Sequence, residues 1–147
     1  MENIYKEIVG EVQDYFKNAY QDIYISYKDA DYDKLANDIL SEKRAEERMQ
    51  VFLDTIKVKE IKNKKLLEIG SGFGMFLCVC RNRYNIEAYG VEPNVTVVNT
   101  AKKLFRYFNV NEEIVKIGKG EDLPFEDATF DFVYSAYVLE HVEDVEK

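Results

Sequence analysis

Between Lys65 and Arg83 a short apolar run, three closely spaced glycines and a longer apolar stretch follow one another directly. The run Lys65–Ile69 has the length of a buried strand, and Met75–Arg83 has the length of a short helix. Glycines between a strand and a helix allow positive φ and let a ligand approach with no Cβ in the way. The sequence therefore predicts a strand, a ligand-binding turn and a helix here.

The same alternation continues along the chain. Further strands are predicted at Ile86–Val91, Glu113–Ile117 and Phe130–Ser135, with a second helix at Val95–Tyr107 between the first two of them. Strands that alternate with helices at a spacing of roughly 20–25 residues indicate βαβ units and a parallel sheet. Right-handed crossovers place the helices on both faces of such a sheet. We therefore expect an α/β fold.

The spacing of the apolar residues in the range 1–60 predicts two helices. These residues are Ile4, Ile8, Val12, Tyr15, Leu35, Ile39, Met49, Phe52, Leu53 and Ile56. The tyrosine-rich segment Tyr20–Tyr32 predicts a loop between the helices. The charge run Ser41–Arg48 predicts the solvated face of the second helix, stabilised by i,i+4 neighbours. We expect residues 1–60 to form a helical lid and residues 61–147 to form the sheet domain.

Length and charge limit the function classes. A chain of 147 residues is about one domain and can bury a core without disulfides or a metal. Its net charge of -8 argues against nucleic-acid and anionic-membrane partners, which require basic surface. With neither a signal peptide nor a long apolar stretch in the sequence, we expect a cytoplasmic protein. Cys78 and Cys80 are predicted to be reduced core residues, and no metal site is expected.

The residues of the glycine loop match neither of two common nucleotide-binding motifs, the dinucleotide fingerprint and the P-loop. A dinucleotide fingerprint, G-x-G-x-x-G, would require glycine at position 75, which is Met75. A P-loop would require Gly-Lys followed by Ser or Thr, and this triplet is absent. The spacing therefore weighs against an NAD-linked oxidoreductase, which stays as the weakest alternative.

The segment Glu68–Gly74, with the pattern Glu-x-Gly-x-Gly-x-Gly, resembles motif I of class I S-adenosylmethionine-dependent methyltransferases, and the domain resembles their type 11-like members. The resemblance implies a Rossmann-like parallel sheet, here its first four strands in the order 3-2-1-4. It also implies that Glu68 helps to hold the methionyl ammonium of S-adenosylmethionine. The backbone of the loop would pack against the methionine and ribose parts of this cofactor. The loop residues concerned are Gly70, Ser71, Gly72, Phe73 and Gly74.

Three further segments follow in the order typical of this family. Glu92, 22 residues after Gly70 and followed by Pro93, lies where an acidic residue accepts hydrogen bonds from the ribose hydroxyls. The same segment also fits the start of a helix. The strand that ends at Ser135 would bring its backbone to the methionine portion of the cofactor.

The segment Gly118–Phe125 resembles the adenine-binding loop of the family but departs from it at Lys119, where the family has Asp. A lysine cannot accept a hydrogen bond from the adenine amino group. The resemblance therefore implies a backbone contact from Gly120 and Glu121, with the carboxylate of Glu121 or Asp122 as the alternative acceptor.

Catalytic residues are less specified than cofactor residues. His141, the single histidine, suits a general base for a hydroxyl acceptor, although a structural hydrogen-bonding role is the favoured alternative. Tyr20, Tyr24 and Tyr27 are candidates to reach the cofactor or the acceptor; packing against the sheet is the alternative.

The resemblance implies methyl transfer to a small-molecule or glycan acceptor. The alternative is a non-catalytic module that binds the cofactor and needs a partner or a missing C-terminal half. Because the family sheet has seven strands, we expect this chain to be C-terminally truncated, with strand four as an open edge. A second copy of the chain would then cover that edge in a homo-oligomer.

Overall fold

The computed structural model describes residues 2–18, 29–58 and 60–138. The helices are α1 (Glu2–Asn18), α2 (Tyr32–Ile39), α3 (Glu42–Ile56), α4 (Met75–Tyr84) and α5 (Val95–Tyr107). The strands are β1 (Lys65–Ile69), β2 (Glu87–Glu92), β3 (Val115–Ile117) and β4 (Phe132–Ser135). A 3-10 turn, Glu112–Ile114, precedes β3 and replaces the first residues of the predicted third strand.

The strands form one parallel sheet in the order β3-β2-β1-β4, so the predicted fold and strand order are confirmed. β1 lies in the centre, with Glu68 opposite Gly90 on β2 and Tyr134 on β4. Because the strands are parallel, their carboxyl ends meet at one edge of the sheet, where ligands bind in open α/β folds. In the described part of the chain β4 pairs with β1 alone, and the side chain of Val133 is exposed.

The N-terminal helices pack on the helices of the sheet domain, α1 on α5 and α3 on α4. Ile8 and Val12 of α1 are fully buried, and the same hydrophobic core extends to Val115 on β3. Ion pairs from Lys103 of α5 to Glu7 and Glu11 border this contact. The helices thus share their core with the sheet, and the division into a lid and a domain stays a prediction.

The predicted second helix is wrong as a single element, because the structure breaks it into α2 and α3. Leu40 ends α2, and Ser41 starts α3 by accepting a hydrogen bond from the backbone N–H of Arg44 at 3.3 Å. A serine hydroxyl at this position satisfies one of the free N–H groups of the first turn. The break turns α3 onto α4.

The prediction of a solvated face for the charge run is confirmed in part, because Lys43, Arg44 and Glu47 are exposed, but its acidic residues also pair with another helix. Glu42 and Glu46 form ion pairs with Arg83 of α4. One i,i+4 pair, Lys43–Glu47 at 3.9 Å, occurs in the run. Glu42 and Glu46 therefore pair across the contact between α3 and α4, where solvent screens these half-exposed ion pairs and the buried residues of α3 supply most of the packing.

Cys78 and Cys80, both on α4, are buried and free, as predicted for core residues.

Across the described ranges, no helix combines the length and apolar character that a membrane span requires. The same ranges hold no group of three or more His, Cys, Asp or Glu side chains that could bind a metal ion.

Candidate functional site

The glycine loop takes a backbone that other residues strongly disfavour. Gly70, Gly72 and Gly74 all have positive φ, at +71°, +52° and +80°. A Cβ on Gly70 would lie 2.2 Å from Val138 Cγ2, and one on Gly74 would lie 2.5 Å from the ring of Phe105. Glycine is therefore required at both ends of the loop, for conformation and for space.

The carboxyl end of β2 holds this loop in place. The carbonyl of Val91 accepts hydrogen bonds from the N–H groups of Gly70 and Ser71, at 2.8 and 3.0 Å. The next residue, Glu92, accepts from Gly72 N at 3.1 Å through Oε2 and from Asn94 N at 3.0 Å through Oε1. The loop and the acidic residue after β2 therefore form one hydrogen-bonded unit.

The electrostatics of Glu92 leave it able to accept more hydrogen bonds. Burial raises the pKa of its carboxyl, and the N–H groups of Asn94 and Gly72 oppose this rise. A carboxylate has about four lone-pair sites, and two are used by these N–H groups. The remaining capacity suits hydroxyl donors such as those of a ribose.

A cavity of about 970 Å³ lies at the carboxyl ends of β1 and β2. Residues of α1, α2 and α3, including Tyr15, Leu35, Arg44 and Arg48, form the helical wall of this cavity. Half of the predicted cofactor-binding residues line it together: Gly70, Ser71, Gly72, Phe73, Gly74 and Glu92. Its volume is at the upper end of the range for small-molecule sites.

The other predicted site residues do not line this cavity: Glu68, Pro93, Gly120, Glu121, Asp122 and Ser135. Gly120 lies beside the end of β1, where a Cβ would be 3.3 Å from Ile69 Cγ2. The N–H of Asp122 donates to the carbonyl of Lys119 at 3.2 Å and closes a tight turn. The adenine contacts expected from this turn stay predictions.

Glu68 lies behind the cavity wall and is joined to it by Arg48. Nη2 of Arg48 donates to Glu68 Oε1 at 2.5 Å, and Nε donates to the Tyr134 hydroxyl at 3.4 Å. The guanidinium carbon lies 4.6 Å from the centre of the Phe76 ring, a cation–π distance. The side chain of Glu68 is 2% exposed and that of Arg48 is 37% exposed. The cation therefore links the cavity to a buried carboxylate.

Three buried polar atoms at the carboxyl ends of the strands and in the glycine loop have no hydrogen-bond partner among the described residues. In the described residues, Glu68 Oε2 and the hydroxyls of Ser71 and Ser135 are buried and make no hydrogen bond. Burial, with a smaller contribution from the charge of Glu92, raises the pKa of Glu68 to about 7 against the opposing charge and hydrogen bond of Arg48. Unsatisfied buried polar atoms are costly and call for a donor. The carboxylate thus fits the ammonium group that motif I implies at this residue.

Arg48 is a site residue that the sequence interpretation missed. It lies between Ala45, Met49 and Phe52, the buried residues of α3, and is therefore close to the apolar stripe of the helix. The spacing thus places this cation at the edge of the buried face of α3, although long cationic side chains at such positions often keep their charge in water. The partner of Arg48 could not be identified from the spacing, because Glu68 lies 20 residues away on β1.

The remaining candidates fall outside the described residues. These are His141, proposed as a general base, and the tyrosines at positions 20, 24 and 27. Their roles stay predictions.

The sequence matches the family model described as a methyltransferase domain over residues 67–147. Norajmaline N-methyltransferase of Rauvolfia serpentina is 31% identical over 87 residues, covering 58% of this chain and 30% of that relative. Ajmaline N-methyltransferase of the same plant is 28% identical over 89 residues, covering 60% and 31%. The chain thus spans about a third of the length of these two relatives.

Two solved structures share the fold. The YcgJ protein from Bacillus subtilis aligns with a TM-score of 0.56 and 26% identity, covering 67% of this chain and 42% of that one. A SAM-dependent methyltransferase from Aquifex aeolicus aligns with a TM-score of 0.53 and 19% identity, covering 74% and 55%.

Proposed function

Because the chain belongs to the class I S-adenosylmethionine-dependent methyltransferase family, we propose that it binds S-adenosylmethionine, the cofactor of that family, in the cavity beside the glycine loop and transfers its methyl group to a small molecule. One observation carries the proposal. The glycine loop and Glu92, joined by a hydrogen bond, line a single cavity at the carboxyl ends of β1 and β2.

We assign each part of the cofactor to a different group of residues in this chain. The backbone from Gly70 to Gly74 packs against its methionine and ribose parts, and Glu92 accepts from the ribose hydroxyls. Glu68 provides the acceptor for the ammonium. The turn at Gly120, with the carboxylates of Glu121 and Asp122, is proposed for the adenine.

The cofactor supplies a methyl group activated by its sulfonium. The protein then has to bring a nucleophile into line with that methyl group and exclude water, and such positioning can lower a barrier by about 7–11 kcal/mol. A neutral amine attacks through its own lone pair, whereas a hydroxyl requires a general base. We propose His141 for that role only if the acceptor is a hydroxyl.

The helical wall of the cavity is the proposed acceptor side. It combines apolar residues of α2, Leu35 and Ile39, with the ion pair between Asp38 and Arg44. Such a wall suits a small molecule with an apolar body and a polar group. Both plant relatives are N-methyltransferases named for norajmaline and ajmaline, which supports a small molecule over a glycan.

A non-catalytic cofactor-binding module is the second candidate. In that case the chain binds the cofactor and transfers no methyl group until a partner completes the acceptor side.

Calorimetry with S-adenosylhomocysteine and with NAD tests the cofactor assignment. We expect the first ligand to bind and NAD not to bind. Glu92→Ala should weaken S-adenosylhomocysteine binding at least about tenfold, because it removes charge-assisted hydrogen bonds. The matched control is Glu87→Ala, since Glu87 is an exposed residue at the other end of β2. Equal affinity of both variants would contradict the ribose assignment.

Transfer of a labelled methyl group to a panel of small amines and hydroxyl compounds separates the two candidate functions. Transfer to any of them supports the enzyme. Binding of S-adenosylhomocysteine without transfer to any of them favours the module.

A further inference from the structure

Arg48 lines the cavity and is paired with Glu68, a buried residue of β1. We propose that Arg48 binds the carboxylate of the cofactor's amino-acid end, and that the pair exchanges partners with this zwitterion. Arg48 moves to the ligand carboxylate, and the ligand ammonium takes its place at Glu68. This inference rests on the proposed function, since it assigns two residues to one end of the same cofactor.

A ligand in the cavity has direct access to only one of the two charged side chains of the pair. Arg48 lines the cavity, whereas Glu68 does not and is almost completely buried. A ligand that enters from the cavity therefore meets the guanidinium before the carboxylate. A planar guanidinium is the side chain best suited to a carboxylate, which it can bind through two N–H groups.

Arg48 and Glu68 each have a hydrogen-bonding group that is not used within the pair. In the described part of the molecule, Arg48 uses Nη2 for Glu68 and Nε for Tyr134, and Nη1 donates to no residue. On the other side, Glu68 Oε2 has no donor. Each member of the pair thus has a free group of the kind that the opposite end of a zwitterion would satisfy.

A zwitterionic ligand would leave neither Arg48 nor Glu68 without an opposite charge. Removing one partner from a buried ion pair leaves an uncompensated charge and is strongly unfavourable. A zwitterion brings one charge of each sign, so both Arg48 and Glu68 remain paired after the exchange. A ligand without the amino-acid end cannot make this exchange, and the pair therefore selects for the zwitterion.

Arg44 provides the matched control. It also lines the cavity and lies one turn earlier on α3, but its Nη2 is paired with Asp38 at 2.9 Å and its side chain is 58% exposed. If any cation near the cavity were sufficient, substitution of Arg44 and of Arg48 would have the same effect.

The experiment compares three ligands by calorimetry. S-adenosylhomocysteine has the full amino-acid end, its decarboxylated analogue keeps the amine alone, and 5′-methylthioadenosine lacks both groups. Each ligand is titrated into the wild-type chain and into Arg48→Met, Arg48→Lys and Arg44→Met. Methionine keeps much of the apolar stem of Arg48 against Phe76, and thermal unfolding of each variant checks that it is folded.

We expect Arg48→Met to lower the affinity for S-adenosylhomocysteine on the order of 10- to 100-fold, because two charge-assisted hydrogen bonds are lost. The affinities for the other two ligands should change less than about threefold, since neither has a carboxylate for Arg48 to bind. Arg48→Lys should recover part of the loss, and Arg44→Met should resemble the wild type.

Two results would overturn the inference alone. If Arg48→Met weakens all three ligands equally, Arg48 has a structural role. If it strengthens S-adenosylhomocysteine binding, Arg48 only competes for Glu68. A wild-type chain that binds none of the three ligands would instead overturn the proposed function, and the inference with it.

Discussion

At Gly74 the backbone turns from the loop into α4 with a φ of +80°, and the ring of the fully buried Phe105 lies against it. Position 74 therefore requires glycine for two reasons, the positive φ and the close approach of the Phe105 ring. A side chain there would need a left-handed conformation and space that Phe105 already fills.

We predict that Gly74→Ala lowers the free energy of unfolding by about 2–4 kcal/mol, from the left-handed backbone and the crowding of Phe105. Urea unfolding followed by circular dichroism gives this value. Gly10→Ala is the control, since a Cβ at Gly10 meets nothing within 4 Å and alanine favours helix α1 by up to about 1 kcal/mol. Equal effects of the two substitutions would contradict the account of Gly74.

Single residues differ in how far the sequence revealed them. The position of the loop glycines and of Glu92 at the cavity could be predicted, because each follows directly after a strand along the chain. Arg48 could not be placed, because its partner Glu68 comes from another element and the sequence does not state which helix covers β1. The interactions that local patterns miss are those between distant segments.

At the scale of elements, α1 is held to the rest of the molecule by a narrow apolar stripe. Ile8 and Val12 are fully buried, while Ile4 on the same helix is 46% exposed. The ring of Tyr5 also lies 5.1 Å from that of Tyr107 on α5. The ion pairs to Lys103 are partly exposed and contribute less, since solvent screens them.

Replacement of Ile8 by alanine should therefore cost about 2–5 kcal/mol, the range for a buried isoleucine that leaves a cavity. The matched change Ile4→Ala should cost less than about 1 kcal/mol, because that side chain already meets water. Urea unfolding of both variants measures the difference. A similar loss from both would show that α1 does not dock through the buried stripe.

The elements themselves were largely predictable from apolar periodicity. The predicted strands and helices after Lys65 match the structure apart from their ends, and the 3-10 turn before β3 follows from Asn111, whose side chain accepts from Glu113 N at 2.9 Å. The break at Ser41 was missed because the charge run Ser41–Arg48 was taken as the polar face of one continuous helix. A capping serine signals such a break more directly than periodicity does.

For the whole molecule, folding places Glu68 in the middle of the sheet and so couples stability to pH. Its pKa is about 7 in the folded chain against 4.5 for the free side chain, chiefly because of burial. Between these two values the folded state holds a proton that the unfolded state has released. The contribution of Glu68 to the free energy of unfolding therefore falls as pH rises through this interval.

We predict a difference in pH dependence between the wild type and Glu68→Gln. The wild-type free energy of unfolding should fall with pH between about 4.5 and 7, relative to the variant, by up to about 1.4 kcal/mol per pH unit. Urea unfolding at a series of pH values gives both curves, and their difference isolates this group. Parallel curves would mean that folding leaves the pKa of Glu68 unchanged.

The order of the strands was predictable at this scale because a family resemblance fixes topology. The packing of the N-terminal helices was not, since nothing in a local pattern states which face of the sheet a preceding helix covers. Arg83 and Lys103, which bind the acidic residues of α3 and α1, became informative only once the helices were placed.

The hydrogen bonds from the Val91 carbonyl to Gly70 and Ser71 have a kinetic consequence. They hold the loop in its final shape without help from a ligand, and Glu92 extends the same hold to Gly72. An incoming molecule therefore meets a finished surface, and little conformational entropy is lost when it arrives. At this part of the site, the speed of association depends on diffusion and access through the helical wall, because no loop has to fold first.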